Sequence, residues 1–344
     1  MADQRFHLGC ERVRPAVDAL REVGFWLERA RADTYRVQAY RKAADALAGL
    51  EPDEVDALAD ADAWTSVPGL GPKTATVIRQ ALAGDEVAEI ARLTSDEPLA
   101  ASSLRSLVRG DLHSHTTWSD GGSPLGEMVA TAQRVGHEYL AITDHSPRLK
   151  VANGLNRERL LAQWELIDEV QATNQIRILK GIEVDILYDG ALDQADDLLD
   201  RMDVVVASVH SKLRSDSETM TTRMVAAVAN RHTNVLGHCT GRLVEGNRGT
   251  RPQSDFDAEV LFEACRQFEV AVEINSRPER QDPPDDLLAL ARDVGCLFSI
   301  DTDAHAPGQL DFLALGCARA EAAGIDPARI ITTWPVDELL EWCR

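Results

Sequence analysis

The chain has 344 residues, of which 44% are hydrophobic, and a formal net charge of −21. This length predicts two domains of unequal size, and the charge excludes a protein that coats nucleic acid through an excess of Lys and Arg. The apolar runs are shorter than the ~20 residues of a membrane span, and Met1 to Arg5 lacks a signal-peptide pattern, so we expect a cytoplasmic protein with no membrane partner.

Residues 1–95 are predicted to form an all-helical domain. Apolar residues recur at helical spacing from Val13 to Leu27 and again from Val37 to Leu50. The acidic stretch 51–62 is typical of a solvated face or a loop. Residues 96–109, beginning beside Thr94-Ser95 and containing Pro98, are interpreted as a linker.

Residues 110–344 alternate short β-rich runs with helical ones, which predicts parallel strands joined by crossover helices. Seven strands over about 235 residues favour a closed α/β barrel over an open sheet. The predicted strands lie around Leu112 and at residues 139–143, 176–182, 204–209, 235–237, 270–274 and 297–300.

Histidines and carboxylates recur at or just after the predicted strand ends, where such barrels place their chemistry. His113 and His115 are two residues apart, as are Asp303 and His305, so each pair shares one face of an extended chain. Any one of these residues alone is better explained as an ordinary strand-end residue, but the joint pattern predicts a polynuclear metal site. The nine candidates are His113, His115, Asp120, His145, Glu183, His210, His238, Asp303 and His305.

Imidazole and carboxylate ligands suit Zn²⁺ or Mn²⁺, and Fe²⁺ also fits, so we expect two or three divalent ions. Such ions activate a water molecule and hydrolyse a phosphoester, which makes all nine residues candidate catalytic residues. The six cysteines include no C-x-x-C pair and are interpreted as reduced core residues. His7, His137 and His232 follow no strand-end pattern and are interpreted as surface or satisfied structural residues.

At these motifs the sequence resembles the polymerase and histidinol phosphatase (PHP) family of metal-dependent phosphoesterases. The resemblance implies a distorted seven-stranded β/α barrel and a trinuclear site. It assigns His113, His115, Glu183 and Asp303 to a first ion. A second ion would bind Glu183, His210 and His238, and a third would bind Asp120, His145 and His305.

The segments 151–155, 179–186, 238–243 and 300–305 resemble the PHP domain of bacterial family X DNA polymerases, and residues 34–44 resemble their small helical domain. Val67-Pro68-Gly69-Leu70-Gly71-Pro72-Lys73 has a helix-hairpin-helix signature, in which Gly69, Gly71 and Lys73 would meet a DNA phosphate. A simple packing corner between helices is the alternative. The polymerase core is absent, and Val77 stands where that family has its Schiff-base lysine, so we expect neither polymerase nor lyase activity.

Three cations near the site motifs, Lys212, Arg242 and Arg277, are candidates for holding phosphate oxygens, although each also fits a surface ion pair. The sequence therefore favours a hydrolase that acts at DNA 3′ ends, as a 3′-5′ exonuclease or a 3′-phosphatase or phosphodiesterase in repair. The alternatives are a small-molecule phosphatase of the histidinol-phosphate type and a non-catalytic DNA-repair adaptor. Oligomeric state is not predicted.

Overall fold

The computed structural model describes residues 2–95, 97–246 and 249–344, with side chains described from Val13 onward. The chain divides into two compact units, Met1–Glu97 and Pro98–Arg344. His7 and Cys10 lie outside the described side chains, so nothing tests their interpretation. The five described cysteines form no disulfide, and four of them are buried.

The first unit is helical and encloses its own apolar core. The predicted apolar stripes, which contain Leu20, Leu27 and Leu47, pack together with Ile78 in one buried core. The acidic stretch folds as a helix that buries Val55 and leaves most of its other side chains at the surface. The helices are α1 (Ala2–Arg29), α2 (Thr34–Ala48), α3 (Pro52–Asp60), α4 (Pro72–Ala83) and α5 (Ala88–Leu93).

The second unit is built on seven parallel strands that neighbour one another in chain order. The first and last strands approach through a parallel bridge between Ser114 and Ala304, which nearly closes the sheet into a barrel. This confirms the predicted α/β barrel. The strands are β1 (Gly110–Asp111), β2 (Tyr139–Ile142), β3 (Arg177–Asp185), β4 (Val204–Ser208), β5 (Val235–Leu236), β6 (Ala271–Asn275) and β7 (Phe298–Asp301).

Helices surround the strands and cover their outer face with one continuous apolar core. No helix in the described part of the chain is both long and apolar enough to cross a membrane. The helices of this unit are α6 (Leu125–Arg134), α7 (Arg157–Gln171), α8 (Asp196–Leu199), α9 (Ser217–Val228), α10 (Ala258–Gln267), α11 (Asp285–Val294), α12 (Leu313–Ala322) and α13 (Val336–Trp342).

Most of the predicted linker belongs to the barrel unit, which begins at Pro98. Leu104 and Val108 are buried in the outer core of the barrel. The Arg109 amide donates to the Thr332 carbonyl oxygen at 2.8 Å, beside the start of β1. These contacts fix the chain before it enters the first strand, whose continuation carries His113 and His115.

The inside of the barrel is divided between its two ends. At the amino end of the strands an apolar cluster includes Tyr139, Leu179 and Val204, and the C-terminal segment closes it with Ile331 and Leu339. At the carboxyl end the interior is lined by buried polar side chains. The barrel therefore has one sealed end and one polar end.

Candidate metal centre

The carboxyl end of the barrel brings all nine predicted side chains together. His113 and His115 flank Ser114, and Asp303 and His305 flank Ala304, the two residues of the closing bridge. The two pairs therefore lie opposite each other, on either side of the line where the first and last strands approach. His145 bridges to Glu183, which lies inside β3 rather than at its end as the sequence predicted.

Glu183 occupies the centre of the cluster and is almost completely buried. Its Oε1 lies 2.8 Å from His238 Nε2 and 3.2 Å from His210 Nε2. Its Oε2 lies 3.3 Å from His113 Nε2 and 3.5 Å from His115 Nε2. Oε2 also lies 2.9 Å from His145 Nδ1, so the two oxygens face two different sets of imidazoles. This arrangement suits a carboxylate that two cations would share.

A second part of the cluster is centred on Asp120. Its Oδ1 lies 3.4 Å from Nε2 of His145 and 3.4 Å from Nε2 of His305. Four ligand atoms, one each from these three residues and His115, lie within 4.8 Å of one another. These four atoms therefore form a further group that fits a divalent ion.

The separations between these atoms match those of ligands sharing one cation. Two ligands bound tetrahedrally at ~2.0–2.1 Å are about 3.3 Å apart. The contacts of Glu183 and Asp120 with imidazoles fall mostly at 3.2–3.5 Å, as does that of His115 with Asp303 at 3.4 Å. His113 Nε2 and both ring nitrogens of His115 are buried and lack a hydrogen-bond partner among the described residues. Buried imidazole nitrogens are normally satisfied, so these residues fit divalent cations.

The ionised carboxylates of the cluster favour positively charged groups beside them. Burial opposes ionisation of Glu183, but the surrounding imidazoles, chiefly His210 and His113, hold its pKa well below the usual range. Burial likewise opposes a charged His113, yet the carboxylates of Glu273 and Glu183 raise its pKa well above normal. Burial and the neighbouring His305 lower the pKa of His115 to about 3, which leaves that imidazole neutral and able to donate a lone pair.

Two of the side chains sit on strained backbone. His238 has φ 22° and Asp303 has φ 50°, both in the left-handed region that non-glycine residues rarely adopt. Asp303 is held by Arg280, whose Nε donates to its Oδ2 at 2.9 Å. Such strain persists only where surrounding contacts enforce it, and it clusters at functional sites.

Comparison with known proteins agrees with this geometry. The PHP domain profile matches residues 111–277, and a helix-hairpin-helix domain profile matches residues 14–86. A probable phosphatase of Citrobacter koseri is 30% identical over 208 residues, covering 57% of this chain and 78% of that protein. The chain belongs to the PHP family.

Two further similarities extend the comparison. The DNA polymerase/3′-5′ exonuclease PolX of Bacillus subtilis is 40% identical over 225 residues, which span 65% of this chain but only 39% of that relative. The crystal structure of a Lactococcus lactis histidinol phosphate phosphatase, complexed with zinc, L-histidinol and phosphate, aligns with a TM-score of 0.48 and 21% identity. That alignment covers 64% of this chain and 95% of the other.

In this PHP site, outer carboxylates orient the imidazoles. Glu273 Oε1 lies 2.5 Å from His113 Nδ1, and Asp185 Oδ1 lies 2.5 Å from His210 Nδ1. A carboxylate on one ring nitrogen fixes the tautomer that presents the other to a metal. The strand-end pattern missed both residues, although a glutamate inside the apolar strand β6 was a usable signal.

Asp144 holds the loop that carries Asp120. Its carboxylate accepts hydrogen bonds from the Thr116 amide at 2.9 Å, the Ser119 amide at 3.1 Å and the Gln163 side chain at 2.6 Å. The turn that follows Asp120 requires glycine, because a Cβ at Gly121 would lie 2.7 Å from the His115 backbone. The loop therefore packs directly on the strand extension beneath it.

The three candidate phosphate-binding cations occupy different places. Arg277 is buried beside the cluster, with Nη1 3.1 Å from His305 Nδ1. Lys212 is exposed, two residues after His210. The Arg242 guanidinium instead donates to the backbone carbonyls of Arg280 and Gln281, so it supports the loop after β6.

The remaining histidines lie apart from the centre. His232 Nε2 lies 3.0 Å from the carboxylate of Asp200, as expected for a structural residue. His137 is buried, and neither of its ring nitrogens has a hydrogen-bond partner among the described residues. His137 is therefore not a surface residue, and its interpretation as a satisfied structural residue stays a prediction.

In the helical unit, Gly69 has φ 95° in the turn before α4, a conformation that glycine adopts without strain. The Gly71 amide donates to Thr74 Oγ1 at 2.9 Å, and Lys73 is exposed in the first turn of the helix. Val77 is buried in the core of this unit.

Proposed function

We propose that this chain hydrolyses phosphoesters at DNA 3′ ends, as an exonuclease or as a 3′-phosphatase or phosphodiesterase. By class it is a metal-dependent phosphoester hydrolase. The observation that supports a DNA substrate is the presence of a helix-hairpin-helix domain at residues 14–86 and a PHP domain in one chain. The similarity to a protein named as a polymerase and 3′-5′ exonuclease is consistent with this substrate.

We propose that two or three divalent ions occupy the cluster, with Zn²⁺ or Mn²⁺ preferred and Fe²⁺ as a further fit. The nine predicted side chains would hold them, with Glu183 shared between two ions through its two oxygens. Bound there, such ions supply a Lewis acid for the phosphoryl oxygens and a nucleophile from water near neutral pH.

The protein's own groups prepare the site for a phosphate. Arg277 lies beside His305 and Asp303, with Nη1 3.6 Å from Asp303 Oδ1, so its guanidinium can meet a phosphoryl oxygen at the edge of the cluster. Glu183 and Asp303 keep depressed pKa values despite burial, because neighbouring cations and imidazoles stabilise their charged forms. Both carboxylates are therefore ionised at neutral pH.

The hairpin of the helical unit supplies the proposed DNA contact. The left-handed Gly69 directs the chain into α4, where the exposed Lys73 stands near the positive end of the helix dipole. A phosphate bound there would be attracted by both the Lys73 ammonium group and the positive end of the helix dipole. We therefore expect Lys73→Glu to weaken DNA binding more than Arg14→Glu, which changes the net charge equally at an exposed position on α1.

A small-molecule phosphatase is the second candidate. It is favoured by the net charge of −21 and by the probable phosphatases, of whose length the alignment covers 78%. Under this alternative the helical unit would serve another purpose.

A direct comparison of substrates separates the candidates. The purified chain, loaded with Mn²⁺ or Zn²⁺, is given labelled oligonucleotides ending in a 3′-hydroxyl or a 3′-phosphate, and separately histidinol phosphate. We expect processing of the 3′ ends, lost in His113→Ala and kept in His232→Ala. Hydrolysis of histidinol phosphate with untouched 3′ ends would contradict the DNA proposal.

A further inference from the structure

Beside the metal centre, the loop after β3 and the loop after β4 present an exposed aromatic ring and an exposed cation. Tyr188 is 65% exposed, so most of its ring is open to solvent. Lys212 is exposed and makes no ion pair within the described ranges, although acidic residues outnumber basic ones 57 to 36. Neither side chain is explained by packing or by the metal cluster.

Tyr188 stands on a tight, well-supported turn. The Gly190 amide donates to the Leu187 carbonyl at 3.0 Å, and the Leu187 amide donates to the Ala191 carbonyl at 2.8 Å. Gly190 has φ 84° and packs against α9, where a Cβ would lie 2.4 Å from the Ala226 side chain. The ring is thus held at the tip of a short hairpin that rests on a helix.

One buried guanidinium joins this turn to the next loop. Arg223 on α9 is 2% exposed, and its Nε donates to the Leu187 carbonyl at 2.8 Å. Its Nη1 donates to the Ser211 carbonyl at 2.8 Å. Leu187 directly precedes Tyr188, and Ser211 directly precedes Lys212. The backbone positions of Tyr188 and Lys212 therefore lie near each other.

Lys212 is also fixed close to the metal cluster. Its backbone has φ 55°, and its carbonyl accepts hydrogen bonds from the Ser215 amide at 3.0 Å and the Ser215 hydroxyl at 2.9 Å. Two residues of chain reach at most about 7 Å, so the Lys212 backbone stays near His210. A strained, anchored lysine at this position is consistent with a binding role.

We propose that Tyr188 and Lys212 form a nucleotide subsite beside the metal centre, with Tyr188 stacking on a base near the DNA 3′ end and Lys212 contacting its phosphate. The inference rests on the proposed function. An aromatic face accepts any base, and a lysine adds sequence-independent attraction to phosphate. A small phosphate ester without a base gains nothing from the ring, so the subsite favours polynucleotides.

The test compares Tyr188→Ala, Tyr188→Phe and the control Phe268→Ala. Phe268 is 52% exposed and precedes β6, at the opposite end of the barrel. For each protein, kcat/KM is measured on a single-stranded oligo-dT and on glycerol 2-phosphate, which has no ring. The ratio of the two values should fall roughly 5- to 150-fold in Tyr188→Ala, the loss expected for one stacked base. Tyr188→Phe should retain most of the ratio, and Phe268→Ala all of it.

A second measurement addresses Lys212. Loss of one phosphate contact on a single strand should reduce the slope of log binding constant against log salt by about 0.7 in Lys212→Ala. Binding of a fluorescein-labelled oligo-dT, followed by anisotropy at several salt concentrations, gives this slope. An unchanged slope would remove Lys212 from the subsite.

The contrary outcomes separate the subsite from the proposed function. If the wild type processes oligo-dT and Tyr188→Ala behaves like Phe268→Ala, the subsite is wrong while the DNA function stands. Equal loss on both substrates would make Tyr188 a structural residue and also overturn the subsite. If the wild type hydrolyses glycerol 2-phosphate but leaves both oligo-dT ending in a 3′-hydroxyl and oligo-dT ending in a 3′-phosphate untouched, both the function and the subsite fail.

Discussion

The two ends of the barrel share the same seven strands but differ in what their side chains do. At the amino end, Leu179, Val204 and Leu339 form an apolar plug. At the carboxyl end, His113, Glu183 and Asp303 are equally buried but polar. Apolar burial stabilises the fold without any partner, whereas buried imidazoles and carboxylates require a cation or hydrogen bonds. Stability and chemistry are therefore assigned to opposite ends of the barrel.

The largest expected effect follows from removing a ligand at the polar end. His113→Ala should lower kcat/KM at least about a thousand-fold, because losing even an outer partner of a metal ligand typically costs ~10–100-fold. Hydrolysis of glycerol 2-phosphate at saturating Mn²⁺ measures the loss. Retained activity in highly purified His113→Ala would show that the cluster is not the reaction site.

The matching change at the apolar end is Leu339→Ala. Leu339 is fully buried, so its truncation should lower the free energy of unfolding by about 2–5 kcal/mol. Urea denaturation followed by circular dichroism gives this value. At 20 °C the folded variant should keep its kcat/KM, and a parallel loss of activity would mean that the two ends are coupled.

A smaller effect is expected for the outer carboxylates. Glu273→Gln keeps the shape of the side chain but weakens its hold on the Nδ1 proton of His113, so metal affinity should fall ~10–100-fold. Competition with a fluorescent chelator measures the affinity without relying on turnover. Glu263→Gln, at a half-buried position on α10 where the carboxylate pairs with Arg266, is the matched control outside the cluster and should bind metal like the wild type.

The smallest effect concerns His137, a buried histidine outside the cluster. Burial and the nearby Arg105 lower its pKa to about 3, so below pH 6.5 the unfolded chain binds a proton that the folded chain does not. Stability should therefore fall as the pH drops from 6.5, by up to about 1.4 kcal/mol per pH unit from this residue. His137→Leu should show a shallower pH dependence in urea titrations between pH 6.5 and 5. Equal slopes would contradict a neutral His137 in the folded state.

The sequence predicted the strands and the cluster well because both depend on local patterns. Short apolar runs ending in His145 or His210 indicate parallel strands and their carboxyl ends, and the barrel then brings those ends together. Glu183 was placed at a strand end, but β3 continues to Asp185 because backbone pairing with β4 extends past the apolar run.

Contacts between residues that are far apart in the chain leave no local pattern in the sequence. Glu273 reaches His113 over 160 positions, and Arg223 joins two loops through backbone carbonyls that any residue could supply. The position of Arg242 depends on the path of the loop after β6, which the sequence alone did not define. The sequence therefore did not predict contacts between side chains distant in the chain, or hydrogen bonds from arginines to backbone carbonyls.

The metal content of the purified protein tests the central claim most directly. After reconstitution with Zn²⁺ and removal of free ions, elemental analysis should find two or three ions per chain, and fewer in Glu183→Ala, whose missing carboxylate lies between two sets of imidazoles. Less than one ion per chain in the wild type, or the same content in Glu183→Ala, would contradict a shared polynuclear site.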